Sequence, residues 1–290
     1  MISTGDGLNL FIQLIGSAAD TILVPNRIYM FEDFQRLASD HTAIFYDPRN
    51  RGLSDAVIDP SKLTRGIHHD VEDIEAIRQH FGIDRLAILA HSYFSVAAIL
   101  FAMAHPTQVS RLVLIGPTTP DPSTEYPAHL RCTDGTLEDF SARFAELQKR
   151  RAEMGTDEFC HACWALLRVL YVAQPETADH LHWAPCGVPN EVNFMHPLMK
   201  YILPSLSALR LTKDEYAKVS VPVFIIHGKR DRSSPYGAGR DWALRLPNAR
   251  LLTVAEGAHV PWIEAPNVVF NALQTFLAGA WPQDAEQLST

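Results

Sequence analysis

Three residues are spaced as a nucleophile, an acid and a base of acyl-transfer chemistry would be. Ser92 lies in Leu86-Ala87-Ile88-Leu89-Ala90-His91-Ser92-Tyr93-Phe94-Ser95-Val96-Ala97-Ala98, where an apolar strand runs through the serine directly into a helix. A serine hydroxyl is a poor nucleophile until a sharp turn exposes it beside a base, and a strand-to-helix elbow does this while aiming backbone N–H groups at the reacting carbon. A serine that merely caps the helix fits the same local sequence. Asp231 ends Phe224-Ile225-Ile226-His227-Gly228-Lys229-Arg230-Asp231, a strand followed by a short loop, and alone it reads equally as a solvated acid or a helix cap. His259 stands between the last strand and the final helix, and one histidine among thirteen is more commonly structural. The order Ser, Asp, His favours chemistry, because each follows the carboxyl end of a different predicted strand, where open parallel sheets place their sites.

The elements that would position them alternate. Short β-rich apolar runs are predicted at 8–15, 21–24, 42–46, 85–89, 111–115, 221–226 and 250–254, with helical patterns around 31–39, 63–81, 94–105, 237–246 and 262–277. This rhythm predicts an α/β fold with a mostly parallel, twisted sheet of about eight strands and helices on both faces. It breaks between 119 and 220, where Pro120, Pro122 and Pro127 introduce a stretch rich in helix formers, aromatics and histidines. Strand character resumes at Val221, so the expected organisation is a core of 1–118 and 221–290 with an inserted, mainly helical cap of 119–220.

Further segments carry a family resemblance. The run Tyr46-Asp47-Pro48-Arg49-Asn50-Arg51-Gly52-Leu53-Ser54-Asp55 is similar to the Asp-Arg-Gly-Ser loop of the α/β-hydrolase family, His227 to Asp231 resembles its acid loop, and Gly257-Ala258-His259-Val260-Pro261-Trp262-Ile263-Glu264-Ala265-Pro266 its histidine loop. The resemblance implies a Ser-His-Asp triad of Ser92, His259 and Asp231, with the acid on Asp231 rather than Asp121, the first carboxylate after the preceding strand. Two departures stand out. The elbow usually reads G-x-S-x-G, and here Ala90 and Phe94 replace the glycines, which predicts a slightly displaced turn. The family's His-Gly loop is replaced by Val24-Pro25-Asn26-Arg27; Pro25 cannot donate, so the expected oxyanion donors are the N–H of Arg27, with Asn26 next, and that of Tyr93. The implied activity is serine hydrolysis of a carboxylic ester or lactone, with a proline iminopeptidase-like amidase or a carbon-carbon bond hydrolase as alternatives. A non-hydrolysing small-molecule receptor on the same fold is the reading from another class.

The rest of the chain adds limits. With 25 basic against 33 acidic residues, the formal charge of −8 opposes attraction to nucleic acid or an anionic membrane. No apolar run approaches a membrane span and no basic segment followed by an apolar run opens the chain, so a cytoplasmic protein, monomer or homodimer, acting on a small ester, lactone or amide is expected. The Cys160-x-x-Cys163 spacing could ligate metal with His180 or His182, but Cys132, Cys160, Cys163 and Cys186 read more simply as small buried hydrophobes in a reducing compartment. His68-His69 beside Asp70, Glu72 and Asp73 reads as a solvated helix face. No metal and no cofactor is expected. Trp164, Tyr171, Trp183 and Tyr201 would line an acyl pocket or form the inserted segment's own small core.

Overall fold

A computed structural model describes residues 1–57, 59–183, 185–187 and 195–289. Seven strands form one sheet in the order β3-β5-β4-β6-β7-β8-β9. They are β3 (Ile12–Ile15), β4 (Thr21–Pro25), β5 (Thr42–Tyr46), β6 (Leu86–His91), β7 (Val109–Ile115), β8 (Val223–Gly228) and β9 (Ala249–Val254). Every neighbouring pair is parallel except β3 with β5. The expected first strand, 8–15, divides. Its start, β2 (Asn9–Leu10), pairs with β1 (Ile2–Ser3) in a separate ribbon. At Phe11 the backbone turns to the loop after β5, donating its N–H to the Ser54 hydroxyl and accepting Asp47 N–H on its carbonyl.

The central strands read as unbroken apolar runs because both faces are covered. Side chains alternate across a strand, so one run feeds two cores. Leu86, Ile88 and Ala90 pack with Ile67, Ile74 and Ile77 of α2 (Ile67–His80) and with α3 (Phe94–Ala104). Ala87 and Leu89 pack on the other side with Tyr29, Met30 and Phe34 of α1 (Arg27–Phe34) and with the C-terminal helix Pro266–Leu277. Strand order reverses between β4 and β6: β4 leads outward to β5, and β6 leads the opposite way to β7, β8 and β9. The carboxyl ends of β4 and β6 therefore flank a crevice that no connection covers, the place where such sheets bind ligands.

Residues 119–220 leave the sheet after β7 and return at β8, and add no strand among those described. They hold α4 (Thr136–Lys149), α5 (Thr156–Leu167) and shorter turns. One stretch, 170–173, is fastened to the loops after β8 and β9. Arg232, next to Asp231, donates to the carbonyls of Val172 and Ala173 and forms an ion pair with Asp134. The Ser233 hydroxyl reaches the Leu170 carbonyl at 3.4 Å. From the other loop, Val260 N–H donates to the Tyr171 carbonyl (3.2 Å), and the Glu264 carboxylate accepts Ala173 N–H (2.5 Å) and Ala258 N–H (2.5 Å). The reading of the cysteines as four buried thiols is corrected here. Cys160 on α5 is disulfide-bonded to Cys186, with Cα atoms 5.6 Å apart, while Cys132 and Cys163 are free. The i, i+3 spacing puts Cys160 and Cys163 a turn apart on one helix, yet tertiary packing brings a different sulfur to Cys160.

Because Arg232 bonds two carbonyls of 170–173, replacing it should free that stretch without unfolding the sheet. Arg232→Gln should speed amide exchange at Ala173 and Val260 about tenfold or more while Leu114 and Ile225 stay protected, as read by hydrogen exchange. Unchanged exchange at Ala173 would show that Arg232 does not hold the stretch in place.

Candidate active site

The elbow after β6 closes at Ser92 itself, whose φ of 58° lies in the left-handed region. That conformation costs a non-glycine residue of order 1–3 kcal/mol and persists only where its surroundings enforce it. Here Ser92 N–H is tied to the Ile115 carbonyl of β7 at 2.9 Å and α3 begins two residues later. The displaced turn expected from Phe94 is not needed. Phe94 is buried in the core facing α2, and the small residue beyond it, Ser95, donates its hydroxyl to the Ala90 carbonyl at 3.3 Å where helix and strand come closest.

After β8, Asp231 has no exposed side-chain surface, and four donors surround it. Its Oδ2 receives His259 Nδ1 at 2.7 Å and His227 Nε2 at 3.2 Å; its Oδ1 receives Ser233 N–H at 2.8 Å and Ser234 N–H at 2.7 Å. Burial works against the charge, but the neighbouring His259 and His227 outweigh it and hold the carboxyl well below the ordinary carboxylate range. His227 Nε2 also faces the Ser234 carbonyl at 3.0 Å, so that nitrogen carries the hydrogen. With Nδ1 committed to Asp231, His259 keeps Nε2 as its available base. Its backbone is held from below: His91, the residue before Ser92, donates Nε2–H to the His259 carbonyl at 2.9 Å. Burial, then the adjacent His259, push His91 well below its usual range, which makes it a neutral strut.

Two glycines make room for the pair. Gly116, at the end of β7 with φ of 51°, approaches so closely that a Cβ would sit 3.0 Å from His259 Nδ1 and 3.3 Å from Asp231 Oδ2. A Cβ on Gly239 would lie 2.4 Å from His227 Nδ1.

Across the crevice, Asn26 at the end of β4 is also left-handed, φ 68°, and Arg27 opens α1. Arg27 and Tyr93 thus occupy equivalent places, each following a left-handed residue and each at a helix start, where first-turn N–H groups have no partner inside the helix. The Arg27 side chain points elsewhere, to Asp47 at 2.9 Å. A cavity of about 230 Å³ is lined by Ser92, Tyr93, Asn26, Tyr29, Arg51 and Thr118 of the core and by Tyr171 and Trp183 of the 119–220 segment, among others. Tyr171 lies tilted against His259 (centroids 5.2 Å apart) and meets Trp183 edge-on at 5.3 Å; Trp164 packs against both, and Trp183 lies edge-on to Tyr29 at 4.7 Å.

Of the other residues singled out by sequence, Tyr201 lies away from Ser92, beside Arg49 and Asp70. Asp121 bonds its own turn through Ser123. The solvated face expected at His68-His69 is corrected in part: His68 and Glu72 are exposed, but His69, Asp70 and Asp73 are buried, with Arg49 from the loop after β5 gripping Asp73 by two hydrogen bonds of 2.9 and 2.5 Å. Among the described residues no group of three His, Cys, Asp or Glu side chains is placed to hold a metal ion. Sequence reasoning missed the supporting roles of His91, His227 and Gly116. His91 and His227 stood in runs already quoted, but nothing in sequence tells a buried strut from a solvated ring.

The alpha/beta hydrolase fold family matches residues 24–266. The chain is 25% identical over 247 residues to a putative carbamate hydrolase RutD of Caulobacter sp. (strain K31), covering 84% of each chain. It is 24% identical over 255 residues to a proline iminopeptidase of Heyndrickxia coagulans, covering 86% of this chain and 85% of that one. Among solved structures, 2-hydroxy-6-oxo-6-phenylhexa-2,4-dienoate hydrolase from Rhodococcus sp. strain RHA1 superposes with a TM-score of 0.74 at 16% identity over 96% of this chain and 98% of that one, a likeness of fold. Sheet order, elbow and family match agree, and the chain belongs to the α/β-hydrolase fold family.

Proposed function

We propose that this hydrolase cleaves a carboxylic ester or lactone through an acyl-enzyme, with Ser92 as nucleophile, His259 as general base and Asp231 as the orienting acid. The observation that carries this reading is the left-handed Ser92 on the cavity wall together with the buried Asp231–His259 bond of 2.7 Å on neighbouring strand ends. His259 Nε2 takes the Ser92 proton as Oγ attacks the carbonyl, the Arg27 and Tyr93 N–H groups receive the oxyanion, and His259 returns the proton to the leaving oxygen. Water then attacks the acyl-enzyme with His259 again as base. Asp231 fixes the tautomer and stabilises the imidazolium. Every step has a protein group assigned, so no cofactor is required.

Residues 119–220 serve as a cap on a core of 1–118 and 221–290, since Tyr171 and Trp183 close the cavity over Ser92. The Cys160–Cys186 disulfide pulls against the reducing cytoplasm expected from sequence, because such bonds are rare there. Ester over amide rests on Tyr93-Phe94 after the nucleophile, where iminopeptidase-like sequences carry tryptophan and glycine.

A fluorophosphonate probe should label the protein at Ser92, and the Ser92→Ala variant should not label. In a panel of p-nitrophenyl esters, lactones and proline anilides, esters or lactones should turn over fastest; fastest turnover of anilides would make it an amidase, and absence of labelling would favour a receptor.

Asp231→Asn should fold normally and lose about 10⁴ in kcat, the size of the corresponding loss in serine proteases, while Asp121→Asn stays within about tenfold of the parent. The reverse ranking would move the acid to Asp121.

Gly116→Ala tests how tightly the pair is packed. Its Cβ presses on both His259 and Asp231 in a conformation that already disfavours alanine, so kcat should fall about tenfold or more with KM little changed. Unaltered kcat would mean that the pair tolerates displacement.

A further inference from the structure

Two residues that line the Ser92 cavity carry a buried polar atom with no hydrogen-bond partner among the described residues. Trp183 is 6% exposed, and its Nε1–H meets no acceptor among the described residues. Thr118, on the loop after β7, lines the same cavity, and its buried Oγ1 is likewise without a partner, although its carbonyl accepts Trp242 Nε1–H at 2.7 Å. The large majority of buried polar groups in folded proteins are paired, and each one that is not calls for an explanation, a functional role among them. The Trp183 ring is held edge-on by Tyr29 and Tyr171 and flanked by Trp164 and Trp262, so its position is fixed before substrate arrives. The packing explains why an indole is there; it does not explain why its N–H is left unpaired, since phenylalanine would present similar apolar surface without that cost.

Resting on the Ser92 reading, we infer that Trp183 Nε1–H and Thr118 Oγ1–H are specificity-determining donors for an acceptor oxygen, an ether, keto or second carbonyl oxygen, on the substrate beyond the scissile carbonyl. The preferred substrates are then compact, oxygen-bearing esters or lactones rather than plain alkyl esters. The cavity's volume of about 230 Å³ is below the usual 300–1,000 Å³ of drug-sized sites and sets the same limit on size. A site with unmet donors discriminates strongly against analogues that lack the acceptor, whereas an all-aromatic wall would not distinguish oxygen from methylene.

Isosteric pairs test this: p-nitrophenyl methoxyacetate against p-nitrophenyl butanoate for the acyl side, and 2-methoxyethyl acetate against butyl acetate for the alcohol side. The readout is the KM ratio within each pair, which cancels differences in intrinsic reactivity when variant and parent are compared. The parent should bind the oxygen-bearing member more tightly in at least one pair, and Trp183→Phe should reduce that preference about three- to tenfold, the worth of one hydrogen bond. Thr118→Val, a change of a single polar atom in another part of the fold, should reduce it in the same pair. No preference in the parent, or a preference unchanged in both variants, overturns the inference while leaving Ser92 hydrolysis intact. If the parent neither labels with the fluorophosphonate nor hydrolyses any of the four esters, the Ser92 reading fails and this inference falls with it.

Discussion

A carboxylate with no exposed surface must find donors on every side, and around Asp231 that requirement organises the carboxyl end of the sheet. The turn from Asp231 to Ser234 delivers two backbone N–H groups to one oxygen, and His227 and His259 converge on the other from β8 and from the loop after β9. Leaving such a charge partly unpaired costs several kcal/mol, so each surrounding element is constrained. Gly116 and Gly239 lack side chains because the rings and the carboxylate occupy that space. His91 fixes the backbone that carries His259, which links the residue before Ser92 to the ring bonded to Asp231.

Facing that negative centre are two helix starts. Asn26 and Ser92 each turn through the left-handed region at a strand end, and α1 and α3 then leave the crevice with their N-termini towards it. The arrangement sets the buried Asp231–His259 pair opposite two helix N-termini, an electrostatic layout that would suit the proposed movement of negative charge from a hydroxyl to a carbonyl oxygen. The strain at Ser92 is sustained because its N–H belongs to the β6–β7 ladder and its successors to a helix buried on the sheet.

The 119–220 segment is coupled to the same centre. Arg232 follows Asp231 in sequence and Glu264 lies five residues after His259, so the two loops that carry Asp231 and His259 also grip residues 170–173. Tyr171, within that stretch, covers His259, and Trp183 extends the wall over Ser92. Residues 170–173 and the loops that carry Asp231 and His259 are therefore one hydrogen-bonded unit: a substitution that shifts 170–173 acts on the geometry of His259 as well as on the shape of the cavity.

Local pattern and motif spacing determined much of this. The apolar runs of β6, β7, β8 and β9 and the alternating helices follow from burial on both faces, which leaves a periodic trace in the sequence, and the Ser92, Asp231 and His259 loops stand out because turn residues sit at fixed offsets from strand ends. Tertiary structure decided what depends on partners distant in the chain. Buried His69, Asp70 and Asp73 look like a solvated helix face until Arg49 is seen to reach them. Cys160 lies three residues from Cys163 and bonds Cys186, 26 residues away. Asn26, in the loop that stands where the family has His-Gly, takes the left-handed conformation between the end of β4 and the start of α1. Hydrophobic period and turn chemistry are local properties, legible one segment at a time; the pairing of buried polar groups is set by which segments meet, and only the folded chain settles that.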